Sequence, residues 1–254
     1  ENIPKKKKKD WGVPPPRFLI GYFLVSPNGL YMSFDFIYFI SVFPNIISYL
    51  PTTLFIAVVS IFIAIFIGLF IALIRVNKSF MIDGVLALYI SLFRGMPTVV
   101  LLFIIYYGSP QLFPSLKEMS AMNAALLCFS LKYSAYLAEI FRAGLESVDN
   151  GQKEAGMAMG LSLINVYRHI ILPQAFVNAL PSTGNMFISL LKDSSVAFFV
   201  GVPELLAAGK LLTVESYKFF ETYLAVGIVY WLVVVLYSWA QKRLEVALSS
   251  PYKR

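Results

Sequence analysis

A chain of 254 residues that is 58% hydrophobic, 16% aromatic and only 14% charged, with a mean hydropathy of +0.73, carries far more apolar side chain than one soluble core of this size can bury. That excludes an ordinary soluble domain and reads as a membrane protein. The net charge of +7 would point to nucleic acid in a soluble chain, but here the basic residues flank apolar runs, as in segments held on one side of a bilayer, and a single cysteine, Cys128, leaves no disulfide framework and no thiolate metal site.

The first stretch, residues 1–31, is basic and proline-rich, with Lys5 to Lys9 and Arg17. Ser26-Pro-Asn-Gly29 splits the apolar residues 18–40 into pieces too short to cross a bilayer. A compact apolar segment with a small-residue cleavage site is missing, so this is not the pattern of a cleavable signal peptide. Met32 stands before an amphipathic, aromatic lead-in. Either residues 18–40 hide a sixth crossing or residues 1–31 are an extension that is not part of the natural protein, and the second is the expectation, with Met32 as initiator, the domain proper over 32–248 and a tail at 249–254.

Crossing the hydrocarbon core takes roughly 20 apolar residues in a helix. Residues 54–74 supply them without a charge, ending at Arg75 and Lys78. Residues 80–107 form a second span with Arg94 inside it, and the Gly95-Met96-Pro97 break is expected to kink it. Residues 121–141 form a third, carrying Lys132 and Glu139. Residues 170–191, interrupted by Pro173, Pro181 and Gly184, form a fourth, and 222–240 a fifth. Between the last two, 196–212 is apolar but short and broken by Gly201, Pro203 and Gly209, which suits a re-entrant or surface segment. The expected fold is an all-α membrane protein of about five transmembrane helices.

Charge chooses the orientation. With the loop between the third and fourth spans inside, the cytoplasmic side gathers Arg75, Lys78, Arg142, Lys153, Arg168, Lys242, Arg243, Lys253 and Arg254, nine residues, against Lys117, Lys192, Lys210 and Lys218 outside. The bias favours that orientation once the basic stretch 1–31 is set apart.

That loop, about 149–166, is half-polar. Asp149, with Gln152 three residues on, can form a capping box that starts a helix near 150. Gly160 can end it in a left-handed conformation, and Ser162 can cap a second short helix toward Val166. Ala155, Ala158 and Met159 share one side of the first helix, a small apolar face suited to a groove, with Met157 beside it. An ordinary interfacial helix loop is the plainer reading. His169, the single histidine, sits in this loop ahead of a helix start at Pro173.

Glu154-Ala155-Gly156, three residues, Gly160, nine residues and Ile170-Ile171-Leu172-Pro173 resemble the E-A-A-x3-G-x9-I-x-L-P pattern of bacterial ABC importer permeases. Gly156 departs from the alanine of the pattern and is expected to loosen the helix by up to about 1 kcal/mol. Phe93-Arg-Gly-Met-Pro97, Ala135-Tyr-Leu-Ala-Glu-Ile-Phe-Arg142, Leu172-Pro-Gln-Ala175, Asn185-Met-Phe-Ile-Ser-Leu-Leu-Lys-Asp193 and Gly201-Val-Pro-Glu-Leu205 resemble the polar amino acid branch of that family. The resemblance runs from about Ser33 to Glu245. Within the branch, residues 216–231 look like cystine-type permeases.

The resemblance implies a subunit that pairs with a second permease subunit, identical or not, and with two ATP-binding-cassette ATPase subunits. An extracellular substrate-binding protein would deliver a polar amino acid, with cystine, glutamine and basic amino acids as candidates. It also implies a bacterial cytoplasmic-membrane location and no role for nucleic acid. Glu154, Ala155, Gly156, Ala158, Met159 and Gly160 would form a cytoplasmic coupling helix seated in a cleft of the ATPase. The chain itself has no G-x-x-x-x-G-K-[ST] phosphate loop, so it is expected to be a transport subunit and not an enzyme. ATP and Mg would bind the partner, and the chain would need no metal or cofactor of its own.

Charges inside spans are costly and so invite a functional reading. For Lys132, two roles stay open: lining the pathway and meeting a substrate carboxylate, or pairing with a neighbouring helix. The spacing of Asn185, Ser189 and Asp193 makes a polar stripe that either lines a cavity or bonds between helices. Arg94, beside Pro97, is expected to bond carbonyls freed by the proline, and Glu139 and Arg142 to brace the coupling loop. Tyr223, Tyr230, Trp231, Tyr237 and Trp239 read as interfacial anchors. An intramembrane enzyme lacks support, with no H-E-x-x-H or G-x-S-x-G in the chain. A channel or secondary transporter would suit broken helices, but no self-similarity between the halves accompanies them.

Overall fold

The computed structural model describes residues 34–76 and 80–249. The extension 1–31, and all of the 249–254 tail except the backbone of Ser249, lie outside them. The described residues from Phe36 onward form one compact unit whose regular elements are all helical. Two short helices, α1 (Phe36–Ser41) and α2 (Phe43–Ile47), lead into α3 (Leu50–Val76). At 1.5 Å per residue α3 is about 40 Å long, more than a hydrocarbon core of roughly 30 Å. Straight spans of this kind are α3, α7 (Ala121–Glu146) and α12 (Phe219–Ser249). Two bent pairs raise the possible crossings to five.

The first bent pair is α4 (Phe80–Gly95) with α5 (Thr98–Phe103), continued through a wide turn at Ile104–Gly108 into α6 (Ser109–Leu112). The second leg is bent by 109° from the first. Residues 80–107 are therefore not one kinked rod. Pro97 cannot donate to the ladder, and with ψ at 140° it leaves the helical region altogether and starts a new helix in another direction.

The second bent pair begins at α9 (Leu163–Val166), passes through a π turn at Tyr167–Ile171 into α10 (Leu172–Asp193), and continues as a 3-10 stretch to Val200. Pro173 is thus no helix start. The preceding π turn absorbs it, and the helix begins ten residues earlier. After a turn at Gly201, α11 (Leu205–Ser216) leaves at 53°, the broken apolar segment expected over 196–212.

The core is the crossing of α3 on α7, with α10 packed against both. Glycine permits both approaches. A Cβ on Gly68 of α3 would lie 2.9 Å from Leu137 Cβ and 3.0 Å from the Ser134 carbonyl oxygen, and one on Gly144 of α7 would lie 2.9 Å from the Ala175 carbonyl oxygen. Without an apolar driving force between helices in lipid, such close backbone contact supplies much of the attraction. Ile56, Leu102, Phe129, Leu137, Leu190 and Leu191 fill the space between.

The turn into α11 is pinned by Glu204, an acidic residue that is fully buried. Its carboxylate caps α11 by accepting from the Leu206 and Ala207 amides at 2.9 and 2.8 Å, and it also accepts from the Tyr230 hydroxyl at 2.9 Å. Tyr230 is therefore a bonded inter-helix residue and not an interfacial anchor, and Tyr237 packs against Phe187 with ring centroids 4.5 Å apart. Trp231 and Trp239 remain exposed, as anchors would be.

Candidate functional site

Between the third and fourth spans lies α8 (Asn150–Ala158). Asp149 caps it by accepting from the Gly151 amide at 2.6 Å. The capping box expected from Gln152 is not made. Gln152 instead forms a reciprocal amide pair with Gln174 of α10, at 2.6 and 3.3 Å, while Gln174 also donates to the Ile170 carbonyl at 2.8 Å. A two-way pair satisfies more donors and acceptors than one bond to a water-exposed cap. Its effect is to tie α8 to the root of α10.

At the other end Gly160 has φ of +85°, and two bonds close the helix: Gly160 N–H to the Met157 carbonyl at 2.9 Å and Leu161 N–H to the Gly156 carbonyl at 3.1 Å. These are the two bonds of a Schellman end, which needs a left-handed residue at Gly160. Ser162 then caps α9 through the Asn165 amide at 3.4 Å.

Gly156 is the one buried residue of α8. A Cβ there would lie 3.0 Å from Val166 Cγ2 and 3.1 Å from Ile170 Cδ1. The departure from alanine therefore accompanies a close approach of α8 to the next helix, and not the looser fit expected. Gly156→Val is expected to destabilise the protein by roughly 1–3 kcal/mol through overpacking. Gly156→Ala gains helix propensity and should stay within about 1 kcal/mol of the parent. Thermal melts of the detergent-purified variants check both values.

With Gly156 turned inward, the remaining side chains face out. Glu154, Ala155 and Ala158 are exposed, as are Met157, Leu161 and Leu163, and Met159 and Ile164 are 81% and 77% accessible. A clustered apolar surface beside charged residues, on a short helix held by side-chain bonds, has the form of a protein-docking site.

Deeper in the membrane, the break in the second span is closed by α7. Lys132, 6% accessible, donates to the Met96 carbonyl at 2.8 Å. Asp193 at the end of α10 accepts from Thr98 Oγ1 and from the Tyr133 hydroxyl, both at 3.0 Å. Lys132 thus does what was expected of Arg94. The 109° turn points the Met96 carbonyl at α7, while Arg94 lies exposed with its guanidinium 5.3 Å from the centre of the Tyr136 ring. Glu139 bridges Arg75 of α3 and Arg142, its Oε2 lying 2.7 Å from Arg142 Nη2. Arg75 also holds Asp83 of α4 at 2.8 Å, and Arg142 holds Glu146 at 2.7 Å. This chain of charges joins α3, α4 and α7 and does not touch α8.

The polar stripe on α10 divides. Asp193 turns inward to α5 and α7, Ser189 is half-buried, and Asn185 is exposed. On the same side an open cavity of about 530 Å³ lies between α7 and α10, lined among others by Arg94, Tyr136, Arg142, Asn178, Ser182 and Met186. Tyr136, Asn178 and Ser182 did not stand out in the sequence, the first two sitting singly between apolar residues and Ser182 lying in the Pro181-Ser-Thr-Gly-Asn185 run. The signal available was the spacing Asn178, Ser182, Asn185, which continues the stripe one turn at a time. No group of three or more His, Cys, Asp or Glu side chains able to hold a metal occurs among the described residues.

The model of the binding-protein-dependent transport system inner membrane component family matches residues 64–250. The probable amino-acid permease protein YxeN of Bacillus subtilis (strain 168) is 52% identical over 219 residues, covering 86% of this chain and 98% of that one. The L-cystine transport system permease protein TcyL of the same organism is 42% identical, covering 80% and 88%. Among solved structures, the crystal structure of an amino acid ABC transporter with histidines superposes with a TM-score of 0.77 at 33% identity, covering 84% of this chain and 99% of that one.

Proposed function

This chain belongs to the binding-protein-dependent transport system inner membrane component family, and from that membership we propose that it takes up a polar amino acid as the permease subunit of an ATP-driven importer. An extracellular binding protein delivers the substrate, a second permease subunit completes the pathway, and two ATPase subunits supply the work. The observation that carries this reading is the α8 segment: a short capped helix, pinned to α10 by the Gln152–Gln174 pair and carrying an exposed apolar surface around Glu154. Such an arrangement suits contact with a moving partner, because a rigid connector passes on displacement that a floppy loop would absorb.

In this proposal Glu154, Ala155, Ala158 and Met159 meet the ATPase, Gly160 fixes the end of the helix, and Gly156 fixes its seat. The substrate passes along the open face of α7 and α10. Arg94, held over Tyr136, offers a guanidinium to the α-carboxylate, the Asn178 carbonyl and the Ser182 hydroxyl offer neutral hydrogen bonds in the same cavity, and Asn185 lies exposed farther along α10. Lys132 and Asp193, already bonded between helices, hold the broken second span against α7 and α10, and Ser189 borders the face. Cystine is favoured among substrates by the likeness to the L-cystine permease.

The test is uptake into vesicles reconstituted with this chain, the neighbouring ATPase and the binding protein, against a panel of amino acids including cystine, glutamine and arginine. ATP-dependent accumulation of one of them is expected. Uptake that runs without ATP would overturn the importer reading in favour of a channel or secondary transporter.

A further inference from the structure

On the side of α10 away from the open polar face, two apolar cavities meet. One, of about 330 Å³, is walled by Ile65 and Leu69 of α3, Phe141 and Leu145 of α7, and Phe176 and Leu180 of α10. Its one hydroxyl, on Thr183, is already bonded to the Ala179 carbonyl at 2.9 Å, so the wall presents no polar group seeking a partner. The other, of about 450 Å³, lies toward the α8 end, between Leu73 and Val76 of α3 on one side and Leu163 and Ile164 of α9 with Tyr167 and Arg168 of the π turn on the other. Leu172 lines both.

Along α3 the lining residues Ile65, Leu69, Leu73 and Val76 fall four, four and three apart, one continuous helical stripe. At 1.5 Å per residue the stripe is about 16 Å long, half of a hydrocarbon core of roughly 30 Å, which is the depth of one leaflet. The apolar groove is thus one leaflet deep and ends where the charge begins. Arg168 stands exposed at that end, with no carboxylate bonded to it among the described residues, and Lys153 lies over the Tyr167 ring at 5.7 Å.

We propose that this groove is a binding site for one anionic phospholipid of the leaflet on the α8 side, an acyl chain lying along α3 between Ile65 and Val76 and the phosphate meeting Arg168. The occupant follows from charge and depth together. A phospholipid supplies an apolar tail and an anionic head in the order in which the groove presents its apolar walls and a cation. Basic clefts at the membrane surface select anionic headgroups by this means. The inference rests on the chain lying in a membrane, and because Leu163 and Ile164 also belong to the exposed surface beside α8, the assembled transporter is part of its test.

The experiment is lipid retention by the full-length protein, assembled with its permease and ATPase partners and alone, exchanged into nanodiscs of equal parts phosphatidylglycerol and phosphatidylcholine. Spin-labelled forms of each lipid report the fraction immobilised on the protein. Phosphatidylglycerol is expected to be enriched over phosphatidylcholine roughly five-fold at the immobilised site, the factor that one arginine is worth at a membrane surface. Arg168→Gln should abolish the enrichment while leaving the immobilised fraction in place. Leu69→Trp, which fills the groove at a lipid-exposed position, should remove the immobilised fraction of both lipids. Equal retention of the two lipids by the parent protein, or enrichment unchanged in Arg168→Gln, overturns the proposal. Enrichment by the isolated chain but none in the assembly overturns it too, since the groove would then belong to a protein partner.

Discussion

Gly160→Val is expected to lower ATP-driven uptake at least ten-fold while the protein still inserts in the membrane at normal levels. Valine at φ of +85° is a genuine outlier, because its branched Cβ crowds the following carbonyl at a cost of roughly 1–2 kcal/mol. The two bonds that end α8, from Gly160 and Leu161 to Met157 and Gly156, depend on that conformation. Losing them frays the segment that carries Met157 and Met159, outside the membrane and away from the core. Gly160→Asn should retain most of the activity, since asparagine tolerates the left-handed region. Uptake in reconstituted vesicles, with co-purification of the ATPase as a second readout, decides the matter. Equal activity of the valine variant and the parent would detach Gly160 from any role in coupling.

A second large effect is expected at Gly68, this time on stability. A side chain there meets Leu137 Cβ, the Ser134 carbonyl and the Ala138 amide, and two of those three neighbours are backbone. Backbone cannot rotate away, so Gly68→Leu forces α3 and α7 apart along the crossing that forms the core. The cost should reach roughly 3 kcal/mol, the upper end of overpacking penalties. Gly84, exposed on α4 with nothing within 4 Å of a built Cβ, is the internal control. Gly84→Ala should be neutral or stabilising by up to about 1 kcal/mol. Thermal denaturation in detergent reads both, and a Gly68→Leu protein as stable as the parent would show that the α3–α7 contact is not the core of the fold.

Much of the fold is legible in the sequence because lipid imposes a simple demand, an uninterrupted apolar helix of sufficient length. Residues 54–74, 121–141 and 222–240 meet it and lie within α3, α7 and α12. The bent pairs are only half legible. Pro97 announces a break, but its angle depends on where the freed Met96 carbonyl finds a donor, and that donor, Lys132, lies 36 residues away on another helix. Pro173 misleads in the opposite direction, since a π turn accommodates it without a break. The limits of α8 follow from local chemistry at Asp149 and Gly160, which a sequence displays directly. The partner of Gln152 does not, because the choice between a cap and Gln174 is made by tertiary geometry. Glu204 is hidden for the same reason: nothing nearby in the chain says that Tyr230 will turn toward it.

The unbroken run from Leu163 to Val200 makes α9, the π turn and α10 a single lever roughly 55 Å long at 1.5 Å per residue. Its near part is tied to α8 by the Gln152–Gln174 pair, and Asp193, toward its far end, accepts from Thr98 at the bend of the second span. Rotation of such a rod by about 5° sweeps its far tip by about 5 Å, close to one helical turn. If α8 docks an ATPase as proposed, a small displacement there would arrive magnified at the other end of the rod.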